Sequence, residues 1–295
     1  MSDGAVFEGE MENGVRRGQG SIMYPDGSSY QGSFEENKMQ GKGCLIDKGM
    51  REKYEGQFEG GLKHGNGKMT FATNDVYEGN WKRDKKHGLG ILKYTNGSIL
   101  ECHWIDDQAT GTGKMIYSNG EKFQGEFVQG NKSAGVYTYE DGSEYEGYFE
   151  NNLPEGRGTL KLKKGERYVG GFKKGLKEGE GTYFYENGDV YIGLWIRDKR
   201  EGLGEIQLAK GDCYKGEWAN DVKEGFGEYW FKESGDKYEG FWAEGKRNGN
   251  GVYIWKEGVR YNGEWEEDNM NGYGVLLLKD GKTRDVFFKE GIQIR

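Results

Sequence analysis

The sequence predicts an all-β protein, an elongated, twisted, single-layer antiparallel sheet of tandem β-hairpins. A Tyr-x-Gly-x-Trp/Phe segment or a degenerate form of it returns every 22 to 24 residues from Phe7 to Arg284, and a period in this range indicates a repeat array. Each period holds two alternating runs and many of the 54 glycines. Residues 1–295 therefore form one array of about twelve repeats with a partial thirteenth.

The first half of each repeat is a predicted strand, shown by "DVYEGNW" at residues 75–81. Tyr77, Gly79 and Trp81 fall on one face of this strand because strand side chains alternate. The second half, "GLGILKYTNG", alternates in the same way. We expect the polar segment "KRDKKH" to be the loop inside the hairpin and "TNGS" to be the turn to the next repeat.

The regular glycines within the strands need a packing reason, because glycine normally weakens a strand. We expect an aromatic ring from a neighbouring strand to fill the gap that each glycine leaves. The rings then form a continuous apolar stripe on one face. We expect their exposed Tyr and Trp side chains to form a protein-binding face. Its residues are Tyr77, Trp81, Tyr191, Trp195, Tyr214, Trp218, Tyr238, Trp242, Tyr261 and Trp265.

The composition limits the function classes. A net charge of −8 with mixed acids and bases argues against nucleic acid as a partner. The chain has no apolar run long enough to span a bilayer, and its first residues lack the features of a signal peptide. Cys44, Cys102 and Cys213 are odd in number and far apart, which is typical of free thiols. We therefore expect a cytoplasmic protein whose partners are other proteins.

Three units carry a family resemblance most clearly: "YEGNWKRDKKHGLGILKYTNG", "YKGEWANDVKEGFGEYWFKESG" and "YEGFWAEGKRNGNGVYIWKEG". They closely resemble the MORN (membrane occupation and recognition nexus) repeat. The resemblance implies an antiparallel β ribbon that serves as a binding scaffold. MORN proteins include radial spoke head proteins of cilia, junctophilins, cytoskeletal organisers of protozoan parasites, and modules of some lipid kinases and a lysine methyltransferase. The fold therefore does not determine the activity.

The leading functional hypothesis is a non-catalytic scaffold within a large cytoskeletal assembly. The family analogy suggests a ciliary location in the axoneme, in a radial-spoke-like complex. Two alternatives remain open: a membrane-apposed adaptor that binds anionic phospholipids or phosphoinositides, and a regulatory subunit of a separate enzyme. We expect no catalytic residues and no cofactor, because the repeats fill the whole chain.

Two features resemble chemical sites without meeting their requirements. The Gly-x-Gly pairs lack the P-loop spacing, and in "GTGKMI" Met115 stands where Ser or Thr should bind magnesium. His64 and His87 occupy the same slot in adjacent repeats, but no third ligand repeats beside them. We therefore predict no phosphate loop and no metal site.

A cluster of positive charges lies between residues 161 and 178. It could bind an acidic protein or an anionic membrane, to which each charge would add ~1 kcal/mol. The alternation of these residues could also spread them over both faces. The predicted patch consists of Lys161, Lys163, Lys164, Arg167, Lys173, Lys174 and Lys177.

The remaining departures from the repeat lie in the middle and at the C-terminal end. Leu100 and Cys102 replace Tyr and Gly in the fifth repeat, and Ser133 replaces Gly in the sixth, which indicates either a bend or partner site there or neutral drift of the sequence. The last repeat ends in an apolar strand, and such an edge invites pairing. It either folds back on the array or is covered by a partner or a second copy. The contact residues for an end-to-end homodimer would be Val286, Phe288, Ile292 and Ile294.

Overall fold

The computed structural model describes residues 4–294, and in this range the chain forms 26 β-strands and no helix. Neighbouring strands in each compact unit run antiparallel and are joined by short turns. The predicted all-β class and the antiparallel tandem hairpins are confirmed. The first unit contains residues 4–142 and 149–152, and the second contains residues 143–148 and 153–294.

The first unit contains twelve complete strands, each paired with the next in sequence. They are β1 (Val6–Glu12), β2 (Val15–Met23), β3 (Ser29–Glu35), β4 (Lys38–Asp47), β5 (Glu52–Glu59), β6 (Leu62–Thr70), β7 (Val76–Lys82), β8 (Lys85–Lys93), β9 (Ile99–Ile105), β10 (Gln108–Ile116), β11 (Lys122–Val128) and β12 (Asn131–Thr138). Strand β13 (Glu144–Glu150) has residues in both units.

The second unit repeats the same order of sequential antiparallel pairs from β14 onward. Its strands are β14 (Leu153–Lys161), β15 (Arg167–Lys173), β16 (Leu176–Phe184), β17 (Val190–Ile196), β18 (Lys199–Gln207), β19 (Cys213–Ala219), β20 (Val222–Trp230), β21 (Lys237–Ala243), β22 (Lys246–Ile254), β23 (Arg260–Glu266), β24 (Asn269–Leu277), β25 (Thr283–Lys289) and β26 (Ile292–Gln293).

The hairpin turns are shorter than the sequence predicts. Between β7 and β8 only Arg83 and Asp84 lie outside the strands, with φ angles of 50° and 69°. Two successive positive φ values are typical of the type I′ turn, whose twist matches that of the flanking strands. Asp84 also bonds to the preceding repeat, since its Oδ1 accepts from the Lys63 amide at 2.8 Å. The prediction that "KRDKKH" forms a loop is therefore wrong, because most of this segment belongs to β7 and β8.

The glycines accommodate the tyrosine of their own hairpin. Gly79 and Gly90 face each other across β7 and β8, and a Cβ on Gly90 would overlap the Tyr77 ring. The Tyr77 hydroxyl donates to the Asn80 carbonyl at 3.0 Å, so the ring lies along its own strand. The prediction that a neighbouring strand supplies the ring is confirmed for Gly90, which lies on β8 and meets the Tyr77 ring of β7, and is wrong for Gly79, which lies on the same strand as Tyr77. Tyr and Gly two residues apart share one face, and the ring reaches the glycine directly.

The Trp or Phe ring of a typical repeat contacts the tyrosine of its own repeat and the tyrosine of the preceding repeat. Trp81 meets Tyr77 at 5.2 Å and Tyr54 at 5.4 Å between ring centroids, both edge to face. Its indole N–H donates to the Gly67 carbonyl of the preceding repeat at 3.2 Å. We call the side of the sheet that carries these rings the ring face. In the first unit Leu100 takes a tyrosine position, and it is buried with 6% exposure.

In the second unit the edge-to-face contacts continue from ring to ring. Their order is Tyr145, Phe172, Tyr168, Trp195, Tyr191, Trp218, Tyr214, Trp242, Tyr238, Trp265, Tyr261 and Phe288. Such pairs add about 0.5–1.5 kcal/mol each beyond the area that they bury. The stability of this core is therefore a sum of similar contributions from neighbouring repeats.

A row of cations covers the rings. Lys86 faces Trp81 across the hairpin, and its Nζ lies 4.5 Å from the Trp104 ring centroid. Burial lowers the pKa of Lys86, and the nearby Asp107 carboxylate opposes this shift. The equivalent cations are Arg16, Lys63, Lys132, Lys177, Arg200, Lys223 and Arg247.

The second residue of the next hairpin turn depends on whether the preceding repeat carries a cation at this position. Where the repeat carries a cation, the second residue of the next hairpin turn is Asp or Asn and accepts from the cation's backbone amide, as Asp221 does from Arg200 at 3.0 Å. Where the cation is replaced, as by Met39 or Met270, that turn residue is Gly. Lys223 departs from this rule, because its turn residue is Gly245.

Lys223 lies among three rings without this turn carboxylate. Its Nζ is 4.9 Å from the Tyr214 ring centroid, 4.6 Å from that of Tyr229 and 4.8 Å from that of Trp242. Burial in this cage lowers the pKa of Lys223 from 10.5 to about 8. The charged ammonium is therefore less favourable in the folded chain than in the unfolded chain.

We predict that Gly90→Ala destabilises the protein by about 2 kcal/mol, because the new methyl overlaps the Tyr77 ring. In a Tyr77→Leu background the same change should cost much less, since the ring is gone. Urea unfolding of the two single variants and the double variant measures this coupling. Gly49→Ala is the control, because its Cβ would meet only Asp47 at 3.4 Å. If the losses of unfolding free energy from Gly90→Ala and Tyr77→Leu are additive in the double variant, the Tyr77 ring does not pack against Gly90.

We predict that Lys223→Met makes the protein more stable at about pH 7, with an advantage that shrinks as the pH rises to about 10. The pKa of Lys223 is about 8 in the folded protein and 10.5 at its ordinary value. Between these pH values the unfolded wild type binds more protons than the folded wild type, so the free energy of unfolding of the wild type rises with pH. The slope from this group is at most ~1.4 kcal/mol per pH unit. Urea unfolding at several pH values measures it, with Met39→Leu as the control. A difference that does not change with pH would refute the assignment.

Candidate functional site

The ten aromatic residues predicted to bind a partner belong to the core. Their exposure ranges from 0% to 6%. The expectation that these side chains are exposed is wrong, because glycines lie under each tyrosine, rings stand on either side of it, and cations cover the row. The buried residues are Tyr77, Trp81, Tyr191, Trp195, Tyr214, Trp218, Tyr238, Trp242, Tyr261 and Trp265.

Burial and hydrogen bonding keep the hydroxyls of the buried tyrosines neutral. Burial raises the pKa of Tyr191 and Tyr214 far above the usual range, and raises that of Tyr30 to about 12. Each of these neutral hydroxyls donates to a backbone carbonyl, as Tyr214 does to Glu217 at 2.8 Å. They stabilise the ring face.

The opposite side of the sheet, which we call the outer face, carries the alternate residues of each strand. In the second unit Leu203 is 73% exposed, and the Phe226 and Phe241 side chains are about half exposed and pair at 5.8 Å between centroids. Tyr273 is 73% exposed and contacts Phe287 at 4.8 Å. Exposed aromatic rings of this kind are typical of protein interfaces.

The same register positions are mainly polar in the first unit. Gln19 faces Ser33, Lys42 faces Gln57, and Asn66 faces Asn80. Leu89 is an apolar exception at 70% exposure, and it faces His103. The repeats therefore share one ring face and differ in their outer faces.

Carboxylates surround the apolar side chains of the outer face in the second unit. A groove over β16 to β20 is lined by Glu180, Ile192, Leu203, Glu205, Lys215, Glu217, Phe226, Glu228 and Trp230. It contains four carboxylates and one ammonium group. Lys237, at its border, forms ion pairs with Glu228 at 3.2 Å and with Glu239. We call the groove together with Phe241 the acidic apolar groove.

Sequence reasoning missed this groove. Its signal lies at the variable position inside two repeat motifs: Phe226 stands between the glycines of "EGFGEYW", and Phe241 stands before the Trp of "YEGFW". Both positions point away from the ring face, because they alternate with its glycines. An aromatic residue at this position therefore predicts an exposed ring.

The predicted basic patch divides into separate parts. Lys161 faces Arg167 where β14 and β15 meet, with Lys163 and Lys164 in the adjoining turn. Arg167 also stacks on Phe184 at 4.3 Å. These four cations lie at one end of β15.

The other three predicted patch residues lie elsewhere. Lys173 ends β15 and Lys174 follows it, about 20 Å from Arg167 for a strand of this length. Lys177 faces the core, with its Nζ 4.3 Å from the Trp195 ring centroid. The seven charges therefore do not form one patch, and Lys177 lies on the ring face, which is the spread over both faces that the alternation allowed.

The C-terminal contact residues also divide. Val286 and Phe288 are buried, and Phe288 packs on Tyr261 at 5.3 Å. Ile292 and Ile294 remain exposed at 70% and 57%. Strand β26 pairs back on β25, which is the first of the two outcomes that the sequence left open.

No metal cluster is found in the described part of the chain, since residues 4–294 contain no group of three or more His, Cys, Asp and Glu with suitable placement. His64 instead contacts Glu59 at 3.0 Å. The three cysteines are free, and burial raises the pKa of each thiol, to about 11 for Cys213. None is poised as a nucleophile. Within the same residues, no helix that could cross a membrane is present.

Comparison with solved structures gives distant similarities. The TCP10 domain of Danio rerio CPAP is 16% identical with a TM-score of 0.41, covering 70% of this chain and 97% of that one. The same domain with a peptide of Danio rerio STIL is 15% identical with a TM-score of 0.40, covering 68% and 94%. The Drosophila melanogaster SAS-4 TCP domain with a proline-rich motif of Ana2 is 14% identical with a TM-score of 0.30, covering 76% and 90%. No function is transferred from similarities of this size.

Comparison with curated protein sequences gives no match. The family profile of the MORN repeat, by contrast, matches along the chain at residues 7–29, 30–48, 54–76, 77–99, 103–122, 123–144, 145–167, 168–190, 191–213, 214–235, 238–260 and 261–283. Repeats of this kind suggest a module for protein or membrane interaction. The chain belongs to the MORN repeat family.

Proposed function

We propose that the protein is a non-catalytic scaffold that binds partner proteins through its outer face. The observation that carries this proposal is the set of exposed apolar side chains there, led by Leu203, Phe226 and Tyr273. The rings of the ring face offer little surface to a partner, because internal contacts bury them. Exposed aromatic anchors with a polar surround have the composition of a protein-binding surface.

The assembly that we propose is cytoskeletal and, more specifically, ciliary, of the radial-spoke type in the axoneme. This assignment is supported by the family analogy, since radial spoke head proteins carry MORN repeats. A regulatory subunit of a separate enzyme would use the same surface. Contact between two copies through Ile292 and Ile294 remains a further proposal, supported by their exposure. The bend proposed for the fifth and sixth repeats also stays a prediction.

We predict that a benzoylphenylalanine cross-linker at position 203 captures proteins in cells, while the same probe at position 66 captures far fewer. Both positions belong to the same outer-face register, but Leu203 has aromatic and acidic surroundings and Asn66 has polar ones. Mass spectrometry of the products identifies the partner as an axonemal protein, another cytoskeletal protein or an enzyme. Absence of protein adducts at position 203 would overturn the scaffold function.

The membrane-adaptor alternative is favoured by one observation, the four cations Lys161, Lys163, Lys164 and Arg167 at one end of β15. Arg167 stacks on a ring, so three lysines remain for a lipid headgroup. At ~1 kcal/mol per charge near an anionic membrane, three lysines give only weak binding.

We predict that little protein sediments with phosphoinositide vesicles, and that charge reversal of Lys161, Lys163 and Lys164 changes this little. The matched control reverses Lys173 and Lys174, at the other end of the strand. Vesicle co-sedimentation measures the bound fraction. Strong binding by the wild type that disappears with the first set and survives the second would establish the adaptor instead.

A further inference from the structure

We propose that the acidic apolar groove binds a basic amphipathic α-helix of a partner protein. This inference rests on the proposed scaffold function and names the partner's chemistry. The groove lies in the second unit, over β16 to β21, and its apolar members are Ile192, Leu203, Phe226, Trp230 and Phe241.

The apolar part of the groove has a high exposed fraction. Ile192 is 49% exposed, Leu203 73%, Phe226 47% and Phe241 51%. Each of these side chains stands on a well-paired strand, so its backbone position is fixed before binding. A preformed backbone of this kind loses little conformational entropy when a partner covers it.

The charges of the groove favour a partner of opposite charge. Glu180, Glu205, Glu217 and Glu228 stand against Lys215 within the groove. Glu228 also pairs with Lys237, which leaves the other three carboxylates as the main source of negative potential. A basic segment is attracted to this surface, and an anionic membrane is repelled by it. Charge complementarity therefore favours a cationic protein partner.

Backbone hydrogen bonding favours a helix over an extended segment. The backbone groups of β17 to β20 pair with neighbouring strands on both sides, so the face offers few of them to a ligand. An extended peptide on this face would leave its own N–H and C=O groups without partners, whereas a helix pairs its own.

The dimensions of the groove also fit a helix. The apolar row of the groove, from Ile192 on β17 to Phe241 on β21, spans about 19 Å across the sheet at ~4.8 Å per strand. This distance corresponds to about 13 residues of helix at 1.5 Å each. Apolar residues at i, i+3/i+4 and i+7 of the helix would meet the apolar row, with Lys or Arg on its borders.

The test uses the full chain and three fluorescent peptides of about 15 residues: a Lys/Leu peptide with helical periodicity, a Glu/Leu peptide of the same pattern, and a scrambled Lys/Leu peptide. We expect the first to bind, to gain helical circular dichroism when bound, and to weaken as salt rises. Fluorescence anisotropy measures the affinities. Equal binding of the Glu/Leu or scrambled peptide would overturn the proposal.

Two variants locate the site. Leu203→Ser with Phe226→Ser should weaken the Lys/Leu peptide at least tenfold, and so should Glu180→Lys with Glu205→Lys, which keeps the apolar side chains. Leu89→Ser is the matched control, because Leu89 has the same register position and similar exposure in the first unit. We expect a change below twofold for it. Thermal unfolding confirms that each variant is folded.

The outcomes separate the two proposals. Loss of affinity in both groove variants with retention in the control supports the helix site. Unchanged affinity in the groove variants, or equal weakening in Leu89→Ser, overturns it. Binding of phosphatidylserine vesicles that the groove variants abolish would also overturn it. If the peptide fails but the cross-linker at position 203 still captures protein, the scaffold function stands without the helix partner.

Discussion

The packing of the core follows from the contact between a tyrosine ring and a pair of facing glycines. Because neither Gly79 nor Gly90 has a Cβ, the Tyr77 ring lies against its own hairpin. This position leaves the ring edges free for Trp81 on one side and Trp104 on the other. The core is thereby assembled from contacts between neighbouring repeats.

This core explains why the two faces of the sheet can have different roles. Rings, glycines and covering cations fix one face in most repeats, and a change there disturbs a local packing unit. The outer face carries no such requirement, so its residues are free to specify partners. The polar pair Asn66 and Asn80 and the aromatic pair Phe226 and Phe241 occupy equivalent registers on the same backbone framework.

The sequence predicts the fold well, because a period of 22 to 24 residues and strand alternation are direct consequences of local geometry. Predictions that depended on contact distances were less successful. The sequence does not reveal that the Tyr77 ring reaches Gly79 in its own strand, and hence that the tyrosines are buried. The spacing of Lys161 and Lys177 likewise hides that one ends a strand at the surface while the other covers Trp195. Linear proximity of charges does not determine the face on which they lie.

The repeat aromatics form the core, and the opposite face is the accessible surface. Hydroxyl-radical footprinting with residue-level mass spectrometry tests this arrangement, because it measures the accessibility of individual side chains. Tyr273, at 73% exposure, should be oxidised rapidly, while Tyr261 and Tyr238, at 0%, should be protected until the chain unfolds. Comparable oxidation rates for these three tyrosines in the folded protein would show that the ring face is not buried.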